Sequence, residues 1–174
     1  MTHQRVFLDT NVIIECFKIG VWSALSKGHK LETVDEVVTE AMTGDASRRD
    51  RVEVDRTELL GGLAVPPYSV TRQERNKLLR DYPTVTVLDP GELNLFAYLN
   101  AHELPLGPFK VVSTADKGAI AFCKLPGWLD HLVSLEELLT GANTARGKVA
   151  QLGPQHRAKF LSEVRTQVRM GFIP

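Results

Sequence analysis

The sequence predicts an α/β fold built on a mostly parallel sheet, and three observations support this prediction. Short apolar runs rich in β-branched residues alternate along the chain with segments of helical periodicity. The runs are apolar throughout, which is typical of strands buried on both faces. The chain has 174 residues, of which 43% are hydrophobic and 24% charged, and this fits one globular domain.

Four of these runs are predicted to be strands. Each is short and is bounded by polar residues or by Gly and Pro. They cover residues 5–8, 84–88, 110–113 and 131–134. In a parallel sheet the carboxyl ends of the strands meet at one edge, where ligands bind.

The helices are predicted from periodicity and capping signals. Apolar residues recur at helical spacing over residues 31–42. A second helix opens at Asp89, which is followed by Pro90 in the first turn and by Glu92 at the capping-box position. Two further helices are expected, one from about residue 115 to before Pro126 and one over 135–139.

Two segments are interpreted as additions to this core. Residues 45–62 carry dense mixed charge, which favours a solvated helix. Residues 141–174 form an extension to the 1–140 domain, with a basic amphipathic helix expected to begin at Gly153-Pro154. We expect its apolar stripe to pack on the core or on a partner, and the stripe comprises Phe160, Leu161, Val164 and Val168.

The formal net charge is zero, but the two segments carry opposite charge. Residues 1–140 hold 15 basic and 20 acidic side chains, whereas residues 141–174 hold six basic side chains and one acidic. The acidic core suits a cation site. The basic extension either contacts a phosphate backbone or neutralises the core.

Nothing in the sequence predicts a membrane segment. No apolar run approaches the roughly 18 residues that span a bilayer, and the N-terminus lacks the pattern of a signal peptide. We therefore expect a cytoplasmic protein without membrane partners. Cys16 and Cys123 are expected to be buried free thiols, because two cysteines without ligand spacing form no scaffold.

Acidic residues follow three of the predicted strands. Asp9, Asp89 and Asp116 lie at or just beyond strand ends, and Glu40 and Glu92 lie on helices close to them in the chain. Carboxylates that converge without a Lys or Arg for each repel one another, and a divalent cation relieves the repulsion. Oxygen ligands favour Mg²⁺ or Mn²⁺ over zinc.

The acidic motifs and their order resemble the PIN-domain family of metal-dependent ribonucleases, which includes toxins of toxin–antitoxin pairs. The resemblance covers roughly residues 5–140. It implies a three-layer α/β/α sandwich with a central, mostly parallel sheet. The segments that carry it are Val6-Phe7-Leu8-Asp9-Thr10-Asn11, Thr39-Glu40-Ala41-Met42-Thr43-Gly44, Gly91-Glu92-Leu93, Ser113-Thr114-Ala115-Asp116-Lys117 and the strand and helix over 128–139.

The resemblance implies an active site and a reaction. The implied metal-binding and catalytic residues are Asp9, Glu40, Glu92 and Asp116, and the implied substrate contacts are Asn11, Thr114 and Lys117. The implied activity is that of an endoribonuclease, which hydrolyses phosphodiester bonds with Mg²⁺ or Mn²⁺. The implied partners are an RNA substrate, a small antitoxin protein and a second copy of the chain in a homodimer.

Several alternatives remain open at this stage. Asp9 and Asp116 can each cap a helix, and Asp89 with Glu92 can form a capping box without metal. Glu36, one turn before Glu40, can replace it, and Asp89 can replace Glu92 as a ligand. Lys117 contacts a scissile phosphate or points to solvent. A non-catalytic PIN-like module that binds RNA or protein is the second functional hypothesis.

Overall fold

The centre of the protein is a three-stranded parallel sheet. It is described by a computed structural model that covers residues 3–43, 52–85 and 88–173. Strand β1 (Arg5–Leu8) lies between β2 (Lys30–Glu32) and β3 (Lys110–Ser113), and the register pairs Arg5 with Lys30 and Leu8 with Ser113. The predicted α/β class with a parallel sheet is confirmed.

Helices account for most of the other described residues. Helix α3 contacts α1 and α6, α5 packs on α6, and α2 contacts α4 and α8. In the part of the chain that the structure describes, no helix combines the length and apolar character needed to cross a membrane. The α-helices are α1 (Thr10–Ile19), α2 (Trp22–Gly28), α3 (Asp35–Thr43), α4 (Arg56–Gly62), α5 (Arg72–Asp81), α6 (Pro90–His102), α7 (Lys117–Phe122), α8 (Leu135–Gly141), α9 (Arg146–Val149) and α10 (Ala158–Arg169).

The apolar runs bury the central strand on both faces. Val6, Phe7 and Leu8 of β1 are fully buried. Helix α1 then begins at once, because the Asp9 side chain accepts a hydrogen bond from the Thr10 backbone N–H. It ends at Gly20, whose φ of 71° is the left-handed conformation that favours glycine at a helix C-terminus.

Two of the predicted strands are not formed by the described residues. Within 84–88, the described residues Thr84, Val85 and Leu88 form no strand, and residues 86 and 87 lie outside the described part. Within 131–134, only Leu132 makes a single parallel bridge, to Val112. Both segments have β-branched residues but lie beside short connections that end in helix caps, so local preference did not produce a ladder.

The predicted helix over 31–42 begins later than expected. Residues Lys30–Glu32 form strand β2, and α3 starts at Asp35. The first apolar positions of the helical pattern therefore belong to a strand and its connection. The helix expected near residue 115 likewise begins at Lys117, after Asp116 as the N-cap.

The C-terminal extension packs on the chain itself. Helix α10 contacts α7 and α8. Leu161, Val164 and Val168 are buried in this contact, and Phe160 is partly buried. Of the charged insertion over 45–62, the described residues contain α4, while residues 45–51 lie outside the described part.

Both cysteines lie in the core. Cys16 and Cys123 are free and fully buried. Burial raises the pKa of each thiol well above its ordinary value, so both remain protonated at neutral pH. The prediction of buried free thiols is confirmed.

Candidate functional site

The site is built at the carboxyl ends of β1 and β3. These strands are neighbours in the sheet, and their last residues, Leu8 and Ser113, are paired. The Asp9 backbone N–H donates to the Ser113 carbonyl at 3.1 Å, which holds the two strand exits together. Asp9 and Asp116 thus leave the sheet at one edge, which we call the acid edge.

Asp9 is a buried carboxylate at this edge. Only 3% of the residue is exposed. Its two oxygens accept hydrogen bonds from the Thr10 N–H at 2.7 Å and from the Thr114 hydroxyl at 2.8 Å. Burial raises the pKa of Asp9 to about 6 against the effect of these bonds, and the charges of Glu40 and Asp116 add to the rise.

Asp116 is joined to Asp9 through Thr114. The Asp116 backbone N–H donates to Thr114 Oγ1 at 3.2 Å, while that hydroxyl donates to Asp9. One Asp116 oxygen accepts from the Ala119 N–H at 2.9 Å and so caps α7. Thr114, which the resemblance implies as a substrate contact, thus links the Asp9 carboxylate to the backbone of Asp116.

Glu92 enters the acid edge from the first turn of α6. It is 5% exposed, and its Oε2 accepts from the Asp89 backbone N–H at 3.2 Å. Burial, together with the charges of Asp9 and Asp116, raises the pKa of Glu92 to about 8. Asp89 itself is an exposed N-cap residue. Glu92 is therefore the acid of this pair that faces Asp9 and Asp116.

Glu40 reaches the acid edge from α3 and contacts two other helices. Its Oε2 accepts from the Thr10 hydroxyl and its Oε1 from the Gly91 backbone N–H, both at 2.8 Å. Glu36 lies at the start of the same helix, so Glu40 is the α3 acid that bonds to the site segments. Sequence reasoning missed Thr10 and Gly91 as partners. The available signal was their position, since each adjoins a predicted site acid.

The remaining predicted contacts lie around the acids. Asn11 Oδ1 accepts from the Ala115 N–H at 3.3 Å, which ties the start of α1 to the segment after β3. Lys117 is exposed, and its Nζ lies 5.9 Å from the centroid of the Phe160 ring in α10. Lys117 therefore joins the acid edge to the C-terminal extension.

The acid edge has no cationic partner among the described residues. None of the ion pairs there involves Asp9, Glu40, Glu92 or Asp116. The four acids nevertheless influence one another, since the charges of Glu40 and Asp116 raise the pKa of Asp9. The edge therefore carries negative charge that the described part of the chain does not neutralise.

The donor chemistry of the acid edge fits a hard divalent cation. No three Asp, Glu, His or Cys side chains among the described residues form a ready-made metal cage. Mg²⁺ does not need one, because it usually keeps several waters and is held by one or two carboxylates. Asp9 and Asp116, from neighbouring strand ends, provide that number. The buried, uncompensated charge is the structural observation that favours the fit.

Comparison with known proteins leaves the fold and the site as the basis for classification. No family model, no curated protein and no solved structure matches this chain. The class that the structure defines is a mixed α/β protein with a three-stranded parallel sheet and an acidic edge at its carboxyl end. The functional class is argued from the site alone.

Proposed function

We propose that this chain is a metal-dependent endoribonuclease of the PIN-domain type, which hydrolyses phosphodiester bonds with Mg²⁺ or Mn²⁺. The observation that carries the proposal is the cluster of acids at the carboxyl ends of β1 and β3. Two of them, Asp9 and Glu92, are buried with raised pKa values and have no cationic partner in the described part of the chain. Perturbed carboxylates at the ligand-binding edge of a parallel sheet are typical of functional sites.

Each acid has a role in this proposal. Asp9 and Asp116 would hold the cation, and Thr114 links the Asp9 carboxylate to the Asp116 backbone N–H. Glu92 would orient the attacking water. Burial and the charges of Asp9 and Asp116 raise its pKa to about 8, and a bound cation would favour the ionised form, in which Glu92 can accept the proton of that water. When bound, the cation supplies Lewis acidity and lowers the pKa of a bound water.

The proposed substrate is single-stranded or looped RNA. Carboxylates and a cation read only the phosphodiester, so sequence specificity has to come from surrounding residues. The Asn11 side-chain amide and Lys117 lie beside the acids and would contact the phosphate backbone. Binding strength should therefore depend on salt.

The biological setting is part of the same proposal. We place the chain among toxins of toxin–antitoxin pairs, with a three-layer sandwich fold, homodimer formation and a cytoplasmic location. The small antitoxin would insert an Arg or Lys side chain between the carboxylates, where the described residues provide no cation of their own. A neighbouring gene for a short DNA-binding protein would support this setting.

A second candidate function is favoured by one observation. Asp9 and Asp116 cap helices and Glu92 bonds to the Asp89 N–H, so each acid has a structural partner without a metal. These contacts suit a non-catalytic PIN-like module that binds RNA or protein. Metal binding and cleavage distinguish the two candidates.

The test is an RNA and DNA cleavage assay with purified protein in Mg²⁺, in Mn²⁺ and in chelator. Asp9→Asn and Asp116→Asn should each lower RNA cleavage by about 100-fold or more, because a transition-state contact is lost. Asp130→Asn is the matched control, since its side chain is 77% exposed and pairs only with Arg169. Cleavage that survives both substitutions or the chelator would overturn the nuclease proposal. Calorimetric titration with metal alone gives an independent result.

A further inference from the structure

The Glu40 carboxylate connects three helices at the acid edge. It projects from α3, accepts from Thr10 of α1 and accepts from Gly91 of α6, with both bonds at 2.8 Å. Thr10 directly follows Asp9, and Gly91 directly precedes Glu92. Each anchor of Glu40 is therefore the chain neighbour of a buried site acid.

Gly91 provides the space for this contact. A Cβ atom at Gly91 would lie 2.8 Å from Glu40 Cδ and closer still to one carboxylate oxygen. Gly91 lies in the first turn of α6 and does not have the positive φ of Gly20 or Gly127. The backbone does not require glycine there. The side chain is absent because the Glu40 carboxylate occupies its place.

From this geometry we infer that Glu40 is a positioning residue, which fixes Asp9 and Glu92 relative to each other, and that it does not ligate the cation directly. Both Glu40 oxygens accept charge-assisted hydrogen bonds from other helices, which are strong and directional, so this carboxylate bridges α1 and α6. Asp9 and Asp116 differ in where their partners lie. Asp9 accepts from Thr10 and from Thr114 after β3, and Asp116 accepts from Ala119, so these bonds stay at the two adjacent strand exits. The positioning role toward the metal rests on the proposed function, whereas the structural contact does not.

The first experiment measures stability without metal. Gly91→Ala should lower the melting temperature of the otherwise unchanged protein by several degrees, because the new methyl group displaces the Glu40 carboxylate. In a Glu40→Ala background the same change should be neutral or raise the melting temperature, since alanine is a better helix former than glycine. If Gly91→Ala shifts the melting temperature in the same direction in both backgrounds, the inferred contact between Glu40 and Gly91 is wrong.

The second experiment measures metal affinity by calorimetric titration with Mg²⁺ and with Mn²⁺. Glutamine at position 40 can accept from Gly91 and donate to Thr10, so Glu40→Gln should bind metal within about threefold of the unchanged protein. Glu40→Ala should bind about tenfold more weakly, as is usual when a supporting residue is lost. If Glu40→Gln and Glu40→Ala lose affinity equally, and as much as Asp116→Asn, then Glu40 is a ligand and the inference is wrong.

The two experiments test different claims, so one claim can fail while the other holds. If the unchanged protein binds neither metal, the proposed function fails, and the sign of the Gly91→Ala effect alone decides whether Glu40 fixes α6 against α1. If metal binds and the sign does not reverse, the proposed function stands and the positioning role of Glu40 is rejected.

Discussion

Two groups of buried carboxylates lie around the same sheet, and they differ in whether cations pair with them. In the first group, the Arg5 network, Arg5 at the start of β1 donates to Glu32 at 2.7 and 2.8 Å and to Glu103 at 2.9 and 3.0 Å. Lys110 also pairs with Glu103, at 3.0 Å. At the acid edge, Asp9 and Glu92 are equally buried without an ion pair among the described residues.

The pKa values follow this difference. Burial alone would raise the pKa of Glu103, but hydrogen bonds from Arg5 and Lys110 hold it below its ordinary value. At the acid edge burial prevails, and the pKa rises to about 6 for Asp9 and about 8 for Glu92. The Arg5 network is thus a structural ion-pair network. Burying unpaired carboxylates at the acid edge costs stability, as is expected of a site that binds a cation from solution.

The largest expected effect comes from removing Arg5, the cation at the centre of the Arg5 network. Arg5→Met would leave Glu103 with Lys110 and Glu32 with the Tyr68 hydroxyl, and it should lower the free energy of unfolding by about 3–5 kcal/mol. Urea unfolding at pH 7 measures the change. Lys77→Met is the control, because the Lys77–Asp81 pair is exposed and should contribute less than about 1 kcal/mol. Equal effects of the two substitutions would contradict the comparison.

At the acid edge, removing a carboxyl group is expected to raise the stability of the protein. Glu92→Gln removes a carboxyl group that the folded protein must either keep protonated at pH 7 or bury as an uncompensated charge, and the glutamine oxygen can still accept from the Asp89 N–H. The variant should therefore be more stable at pH 7, by roughly 1–2 kcal/mol. The measurement is urea unfolding of both proteins.

The pH dependence supplies the sign check for this prediction. Between pH 4.5 and about 8 the folded state holds the Glu92 proton more tightly than the unfolded state does, so stability falls as the pH rises through this range. Glu92→Gln should fall less over the same range. A variant that is less stable than the unchanged protein at pH 7 would show that the Glu92 charge is compensated.

A smaller shift should come from adding the cation. Millimolar Mg²⁺ should raise the melting temperature by a few degrees at pH 8, because it binds the folded state only. The shift should be smaller at pH 5, where protons occupy Asp9 and Glu92. Asp9→Asn should abolish it. A shift of the same size in Asp9→Asn would place the cation elsewhere.

The smallest expected effect concerns the basic extension. Lys159 has an 86% exposed side chain and lies in the first turn of α10 next to Phe160, which Lys117 contacts. Lys117→Gln and Lys159→Gln should each weaken RNA binding by about threefold. Each should also lower, by about one, the number of phosphate contacts that the salt dependence of binding indicates. Filter binding at several salt concentrations measures this.

Charge substitution is preferable to truncation in this test, because Leu161, Val164 and Val168 are buried and removing them would unsettle the core. Lys27→Gln, an exposed change in α2, is the control. If both lysine substitutions leave RNA binding unchanged, the extension only balances the acidic core. Two of its arginines already do so, since Arg157 pairs with Glu136 and Arg169 with Asp130.

The sequence pattern correctly predicted the elements whose own residues carry a clear signal. Strands β1 and β3 are continuous apolar runs, and α6 follows its Asp89 and Glu92 signal. Strand β2 has three residues and contains Glu32, which is buried against Arg5 of the neighbouring strand and the Tyr68 hydroxyl. No local pattern shows that pairing.

The same limit applies to the site. The acids were found from their positions after strands and at a helix start. The contacts of Glu40 were not found, because Thr10 and Gly91 lie 30 and 51 residues away in the chain. Such bonds are set by how α1, α3 and α6 pack, which the sequence pattern does not specify.

Helix α6 connects the acid edge to the Arg5 network, and this has a consequence for backbone motion. It carries Glu92 at one end and is followed by Glu103 at the other, and its residues from Asn94 to Asn100 are buried on all sides. Amide protons in such a segment are expected to exchange with solvent mainly through unfolding of the whole domain. We therefore expect the acid edge to rest on one of the slowest-exchanging segments of the protein, and cation binding to leave the exchange mechanism of these amides unchanged.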